Sequence, residues 1–256
     1  MKTDPLFSVD GKVTLITGAG GGIGSALSRA FLPRGATVAA IEREPALLEQ
    51  LATQVGANDR ARLHGYPFDL MNIDLIPNLV ERIIADAGRI DVLVNNAGIN
   101  LPGPANEVDQ TDWDAILTVN LKACFFLAQE VARYMGRQRV GRIINIASQL
   151  GIVGRDNCAP YTASKGGLIL LTKSLSLEWA KDNILVNAIA PGPLRTPMTE
   201  PFLQKPELVQ AMTQVIPLGR IGFPEEIVGA ALLLASEAGS FITGSVLVVD
   251  GGYTAS

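Results

Sequence analysis

The sequence predicts an α/β fold: a three-layer α/β/α arrangement around a doubly wound, seven-stranded parallel sheet. Three observations point to it. Short β-branched runs alternate with longer amphipathic stretches, the rhythm of successive βαβ units. The runs are continuously apolar, as in Val92-Leu93-Val94 and Ile143-Ile144-Asn145-Ile146, which fits strands covered on both faces. A glycine-rich turn, Thr17-Gly18-Ala19-Gly20-Gly21-Gly22-Ile23-Gly24, follows the first run and opens a helical pattern.

The elements follow in order. Lys12-Val13-Thr14-Leu15-Ile16-Thr17 reads as the first strand, with a helix from Ile23 towards Arg34. Further strands are expected at residues 37–41, 62–67, 91–95, 142–148, 184–189 and 245–249, completing a Rossmann-type sheet. Prolines 191, 193, 197, 201, 206 and 217 make the next stretch irregular, with a short helix near residues 207–215. The segment at about 196–217 is expected to cover a site. With no internal repeat or Gly/Ser linker, residues 1–256 are expected to form a single domain.

Composition narrows the function classes. Apolar residues make up 48% of the chain and charged residues 18%, enough for a large core. A net charge of -4 gives no electrostatic footprint for nucleic acid. Arg133, Arg137, Arg139 and Arg142 are read as a solvated helix end. No apolar run precedes Asp10 and no uninterrupted apolar span of membrane length is evident, so a cytoplasmic protein with no membrane partner is expected. Cys124 and Cys158 are expected to be free buried thiols, and with His64 the lone histidine no metal site is expected.

Glycines between a strand and a helix allow a tight turn and close approach of a pyrophosphate to a helix N-terminus, which predicts dinucleotide binding. Glu42 ends the second strand, where a carboxylate would accept from an adenosine ribose and repel a 2'-phosphate. Gly21 offers no basic side chain to such a phosphate, whereas Arg43 follows Glu42. NAD is therefore expected, with NADP the alternative. The bland reading of Glu42 is a solvated strand end.

Tyr161-Thr162-Ala163-Ser164-Lys165 follows Pro160 at an apparent helix start, and the four-residue spacing puts phenol and ammonium on one face. A tyrosine of ordinary pKa about 10 is a poor base near neutrality unless a cation stabilises the phenolate. Lys165 is expected to supply it. Ser148 ends the preceding strand, at the carboxyl edge where open α/β sheets bind ligands. Singly, each residue has a structural explanation; together with the glycine turn they form a reacting constellation.

On these motifs the chain resembles the short-chain dehydrogenase/reductase family, of the classical type, over essentially its whole length. The resemblance implies that Gly18, Gly22, Ile23 and Gly24 form the cofactor turn and that Asp69 contacts the adenine. It implies that Asn95-Asn96-Ala97-Gly98 supports the central sheet beside the cofactor. Asn120, Ser148, Tyr161 and Lys165 would be the catalytic tetrad, and Pro191, Gly192, Leu194 and Thr196 would hold the nicotinamide carboxamide. Glu42 stands in place of the more usual Asp, and Pro193 removes one donor from that last segment. By the same resemblance Tyr161 is the general acid/base, Ser148 binds the substrate oxygen, Lys165 holds the nicotinamide ribose and lowers the tyrosine pKa, and Asn120 positions a relay water. The family also implies a homotetramer, with the helix after Tyr161, apolar through Leu168, Leu171, Leu175 and Trp179, at one interface.

An alcohol or ketone is then the expected small-molecule substrate. Gln149, Asn157, Asn100 and Glu200 around the inferred site favour a sugar, sugar acid or polyol. Gln149 and Glu178-Trp179-Ala180-Lys181 also look similar to bacterial sugar-acid and polyol dehydrogenases of this family. The alternative is a 3-oxoacyl-thioester or β-keto ester reductase. Arg133 matches a carrier-protein docking position of that group, whereas Leu177 stands where arginine is usual. A nucleotide-sensing protein without catalysis is disfavoured by the intact tetrad, and a halohydrin-type lyase by the intact glycine turn.

Overall fold

The computed structural model describes residues 4–255. Seven strands, β1 (Val13–Thr17), β2 (Thr37–Glu42), β3 (Leu63–Pro67), β4 (Val92–Asn95), β5 (Gly141–Ile146), β6 (Ile184–Pro191) and β7 (Val246–Val249), form one parallel sheet in the order β3-β2-β1-β4-β5-β6-β7. All seven expected strands are present, with ends shifted by one or two residues. β1, β4, β5 and β6 are buried along their whole length, which explains their unbroken apolar runs.

The helices are α1 (Gly22–Phe31), α2 (Pro45–Gln54), α3 (Ile76–Ala87), α4 (Gln110–Leu117), α5 (Ala123–Gln138), α6 (Ala159–Trp179), α7 (Glu200–Leu203), α8 (Pro206–Val215) and α9 (Val228–Ala235). α1 and α9 pack on one face of the sheet around Leu27, Phe31, Ala231 and Leu234, while α3, α5 and α6 cover the other around Ile83, Leu127 and Leu175. The chain moves outward from β1 through β2 to β3 and then returns to place β4 on the far side of β1. That reversal opens a crevice above the carboxyl ends of β1 and β4.

α4 and α5 are joined by a five-residue π-helical turn, Thr118–Lys122, into one run, Gln110–Gln138. By length and composition this run is long and apolar enough to cross a membrane, though Lys122 and Glu130 interrupt its apolar residues. Its Leu127, Val131 and Met135 are wholly buried against the sheet and α3, as in a core helix.

One expectation is corrected. Arg142 belongs to no solvated helix end: it lies in β5 at 4% exposure, donating to the Gly141 carbonyl and, at 3.4 Å, to Glu237. Strand pairing fixes its backbone inside the sheet, and only its guanidinium reaches the acid at the margin. The apolar face of α6 carrying Leu168 and Leu175 is buried in the protein's own core, with Leu171 and Trp179 packed against it. The exposed leucines of that helix are Leu170 and Leu177.

Candidate active site

The glycine turn and the segment after β4 are locked together at the crevice. Thr17 Oγ1 accepts from the N–H groups of Asn96 and Ala97 at 2.9 and 3.0 Å, while Asn96 Nδ2 donates to the carbonyls of Thr17 and Gly18. Gly18 has φ +62°, and a Cβ there would press on Ala97 and Asn96. Gly24 packs directly on the Gly18 carbonyl, so any side chain would break the turn. Gly21 is the N-cap of α1 and gives no side-chain cap, leaving the first helical N–H groups, those of Gly22, Ile23 and Gly24, without a side-chain acceptor. An uncapped helix start behind a glycine turn is a cradle for an anionic pyrophosphate.

Glu42 bends towards this turn, accepting from Gly20 N at 3.2 Å and from Arg43 N at 2.9 Å. Arg43 is directed to Glu44, which accepts from its Nε at 3.1 Å. Asp69 follows β3 and caps its own loop by accepting from Met71 N. On the other side, Gly192 lies so close to Asp250 that no Cβ fits, and Thr196 packs against Gly22, facing the segment after β6 towards the start of α1. Leu194 is buried and pairs with Gly222 in a short parallel bridge, while Thr199 Oγ1 donates to the Leu194 carbonyl.

A buried polar chain holds the floor. Asn95 Nδ2 donates to Asn145 Oδ1, its register partner on β5, and Asn145 Nδ2 donates to Thr172 Oγ1 on α6. Asn95 Nδ2 also reaches the Cys124 carbonyl at 3.3 Å. Each strand carries one polar side chain at the same level, satisfied by its neighbour.

Asn120 occupies the π-helical turn, wholly buried. Its Oδ1 accepts from Ile99 N at 2.8 Å, and its Nδ2 donates to the Ile99 carbonyl and to Ser164 Oγ. Ser164, which the motif left unassigned, donates in turn to the Tyr161 carbonyl at 2.7 Å. Its spacing of three from Tyr161 is the only sequence signal it offers. A Cβ on Gly98 would come within 3.3 Å of Asn120 Oδ1 and 3.5 Å of Lys165 Nζ, so the backbone after β4 runs beside both groups.

Ser148, Tyr161 and Lys165 are brought together as expected. Ser148 Oγ accepts from Leu150 N, capping the 3₁₀ turn Gln149–Gly151, and its hydroxyl is a side-chain hydrogen-bond partner of the Tyr161 phenol. Lys165 Nζ lies 5.8 Å from the centre of the Tyr161 ring. The expected lowering of the phenol pKa by this cation is not found. Burial pushes Tyr161 up from its ordinary value, and the Ser148 hydroxyl opposes that rise. Lys165 is itself brought down to about 8 by burial, with its ammonium anchored on the Ile146 carbonyl over the ring face.

The expected substrate residues separate. Gln149 is buried, and its Oε1, like Asn100 Oδ1, is a buried oxygen with no hydrogen-bond partner. Asn157 is exposed, has φ +55°, and donates to Asp156 from its side chain, the behaviour of a loop former. Glu200 is exposed at the first turn of α7. Cys124 and Cys158 are free and buried.

A reversed parallel sheet, a glycine cradle at a helix start and a half-buried tyrosine beside a buried serine and lysine define a dinucleotide-dependent oxidoreductase. Comparison with known proteins agrees. Residues 18–254 match the family model described as enoyl-(acyl carrier protein) reductase. The chain is 42% identical to a 3-oxoacyl-[acyl-carrier-protein] reductase of Thermotoga maritima over 95% of its length and 98% of the relative's. It is 38% identical to a gluconate 5-dehydrogenase of Gluconobacter oxydans over the whole of both chains. A gluconate 5-dehydrogenase from Burkholderia cenocepacia, solved with NADP and tartrate, superposes with a TM-score of 0.93 at 36% identity, covering 98% of each chain. The chain belongs to the short-chain dehydrogenase/reductase family and is an oxidoreductase of secondary alcohols and ketones that uses NAD(P).

Proposed function

We propose that this enzyme interconverts a secondary alcohol and a ketone on a hydroxyl-rich substrate, a sugar, sugar acid or polyol, with Tyr161 as general acid/base. The carrying observation is the pair of buried, unpartnered carbonyl oxygens on Asn100 and Gln149, in the segments that follow β4 and β5. Buried acceptors without donors are costly, and a polyhydroxylated ligand supplies donors. The gluconate 5-dehydrogenase likeness supports the same class.

The cradle fits a nicotinamide dinucleotide. Gly18, Gly22, Ile23 and Gly24 would hold its pyrophosphate, Glu42 its adenosine ribose and Asp69 its adenine. Asn96, Ala97 and Gly98 would lie beside it, Tyr161 and Lys165 would hold the nicotinamide ribose, and Pro191, Gly192, Leu194 and Thr196 the carboxamide. When bound, this group gives or takes the hydride. Tyr161 Oη takes the hydroxyl proton in oxidation and returns it to the ketone oxygen in reduction. Ser148 Oγ donates to that oxygen and aligns it with the phenol. Asn120 fixes the segment after β4 through Ile99 and steadies α6 through Ser164; a water beside it would carry the proton onward. Because Glu42 points its carboxylate to the turn and Arg43 is held by Glu44, NAD is preferred over NADP.

We read residues 1–256 as one catalytic domain whose segment 196–217 covers the substrate, and we place the enzyme in the cytoplasm, in keeping with its free thiols. We further infer a homotetramer. Two separate faces are apolar and exposed: Leu170 beside a groove of about 960 Å³ lined by Leu117, Leu121 and Phe125, and the edge carrying Phe241 and Val248. Two distinct two-fold interfaces suffice for a closed tetramer.

The 42% identity to a 3-oxoacyl-[acyl-carrier-protein] reductase supports a second reading, reduction of a β-ketoacyl thioester. Against a carrier protein stand Leu177, exposed where arginine is usual in that group, and Arg133, already paired with Glu130 at 2.9 Å. The test is a panel of alditols, aldonates, simple secondary alcohols and β-ketoacyl thioesters, followed by cofactor absorbance with both nucleotides. Activity confined to the thioesters rejects the hydroxyl-rich class.

A further inference from the structure

Three segments meet at the carboxyl edge of the sheet, outside the tetrad. Gly103, in the segment after β4, donates its N–H to the Asn157 carbonyl, in the loop between the Ser148 turn and α6. From that same loop Arg155 reaches α7 of the covering segment, its guanidinium carbon 5.4 Å from the centre of the Phe202 ring. One cation thus stands on the loop that joins Ser148 to Tyr161 and also touches the cover.

Arg155 has no carboxylate partner. Nine ion pairs tie together other charged groups among the described residues, and Arg155 takes part in none of them. Its neighbour Asp156 accepts instead from Asn157. The segment after β4 brings Glu107 and Asp109 and no cation before the start of α4, so between that segment and the loop joining Ser148 to Tyr161 Arg155 is the single positive group. A guanidinium presents a planar fork of donors matched to a carboxylate, and its cation–π contact with Phe202 helps to hold that fork in place.

We propose that Arg155 is a specificity-determining residue that binds the carboxylate of an anionic hydroxy-acid substrate, so that the enzyme prefers aldonates to the corresponding alditols. This rests on the hydroxyl-rich reading above and selects the acid within it. A carboxylate takes the N–H groups of the guanidinium while the ring meets its charge from Phe202's side, so Phe202 and substrate engage Arg155 together. The covering segment is then drawn to the loop most firmly when an acid is bound.

The experiment compares hexonates with the matching hexitols, which differ only by carboxylate against hydroxymethyl, in wild type, Arg155→Met and Phe202→Leu. We expect Arg155→Met to raise KM for the hexonate by roughly tenfold or more, the scale of a lost charged hydrogen bond, with kcat and the hexitol KM nearly unchanged. Arg155→Lys should restore part of the hexonate affinity. Equal effects of Arg155→Met on both substrates, matching those of Phe202→Leu, would show a fastening of the cover only and overturn the proposal. A wild type that turns over neither class but reduces β-ketoacyl thioesters rejects the hydroxyl-rich reading and this proposal with it. That failure is seen in the wild type, the other only in the variants.

Discussion

Lys165 Nζ donates to the carbonyl oxygen of Ile146 at 2.8 Å, tying the ammonium to the strand end two residues before Ser148. This bond turns three side chains into one rigid unit, since the same strand end sets Ser148 and the same helix sets Tyr161. We expect Tyr161→Phe to lower turnover roughly 10²- to 10⁴-fold, the usual loss for a general acid/base, while nucleotide binding followed by fluorescence is retained. Turnover within a few-fold of wild type would remove Tyr161 from the mechanism.

The raised phenol pKa gives different pH dependences in the two directions. Reduction needs the protonated phenol, which is present at neutral pH and is lost only above its raised value. Oxidation needs the phenolate, whose fraction grows about tenfold per pH unit below that value. Profiles of kcat/KM should therefore rise with pH for the alcohol and stay level for the ketone between pH 6 and 8. A level profile for alcohol oxidation would contradict the assignment.

Lys165 also links pH to stability. Its folded value is about 8 against an ordinary 10.5, so between these values the unfolded chain holds a proton that the folded chain has released. More protons bound in the unfolded state means that this contribution to stability rises with pH across that window. Urea midpoints at pH 7.5 and 9.5 should show the wild type gaining on Lys165→Met. A constant difference would mean that the ammonium is not held at a lowered pKa.

Glu42→Ala removes the carboxylate beside Gly20. We expect the ratio of kcat/KM for NAD over NADP to fall by about tenfold, the value of one charged hydrogen bond. A wild type that already favours NADP would reverse the role given to Glu42.

Asn145→Leu leaves Asn95 and Thr172 without their shared partner in the floor of the site. Asn95 then keeps only the Cys124 carbonyl and Thr172 only the Leu168 carbonyl, and the two lost buried hydrogen bonds should cost about 1–3 kcal/mol, to be measured by denaturant unfolding, with cofactor affinity little changed.

The sheet was legible because its inner strands are buried on both faces, which leaves a continuous apolar run in the sequence. The Tyr161 and Lys165 pair and the glycine turn were legible because each has a fixed spacing along one local element. Arg142, Ser164 and Arg155 were not. Arg142 sits in a strand whose start is buried by its neighbours, and its charge gave the opposite signal. The contacts of Ser164 with Asn120 and of Arg155 with Phe202 join residues 44 and 47 positions apart, set by packing and carried by no periodicity. Asn157 shows the reverse error, a polar residue whose purpose is a left-handed turn.

The π-helical turn at Thr118–Lys122 also bears on how the family can vary. Such a turn holds one residue more than an α-helical path needs. Removing a single codon there would let the run close into regular helix with the segments on either side keeping their phase. The buried stripe of Leu127, Val131 and Met135 would keep its aim, while Asn120 would lose the widened turn that carries it. The extra residue is therefore held in place by what Asn120 does and not by the packing of the helix behind it.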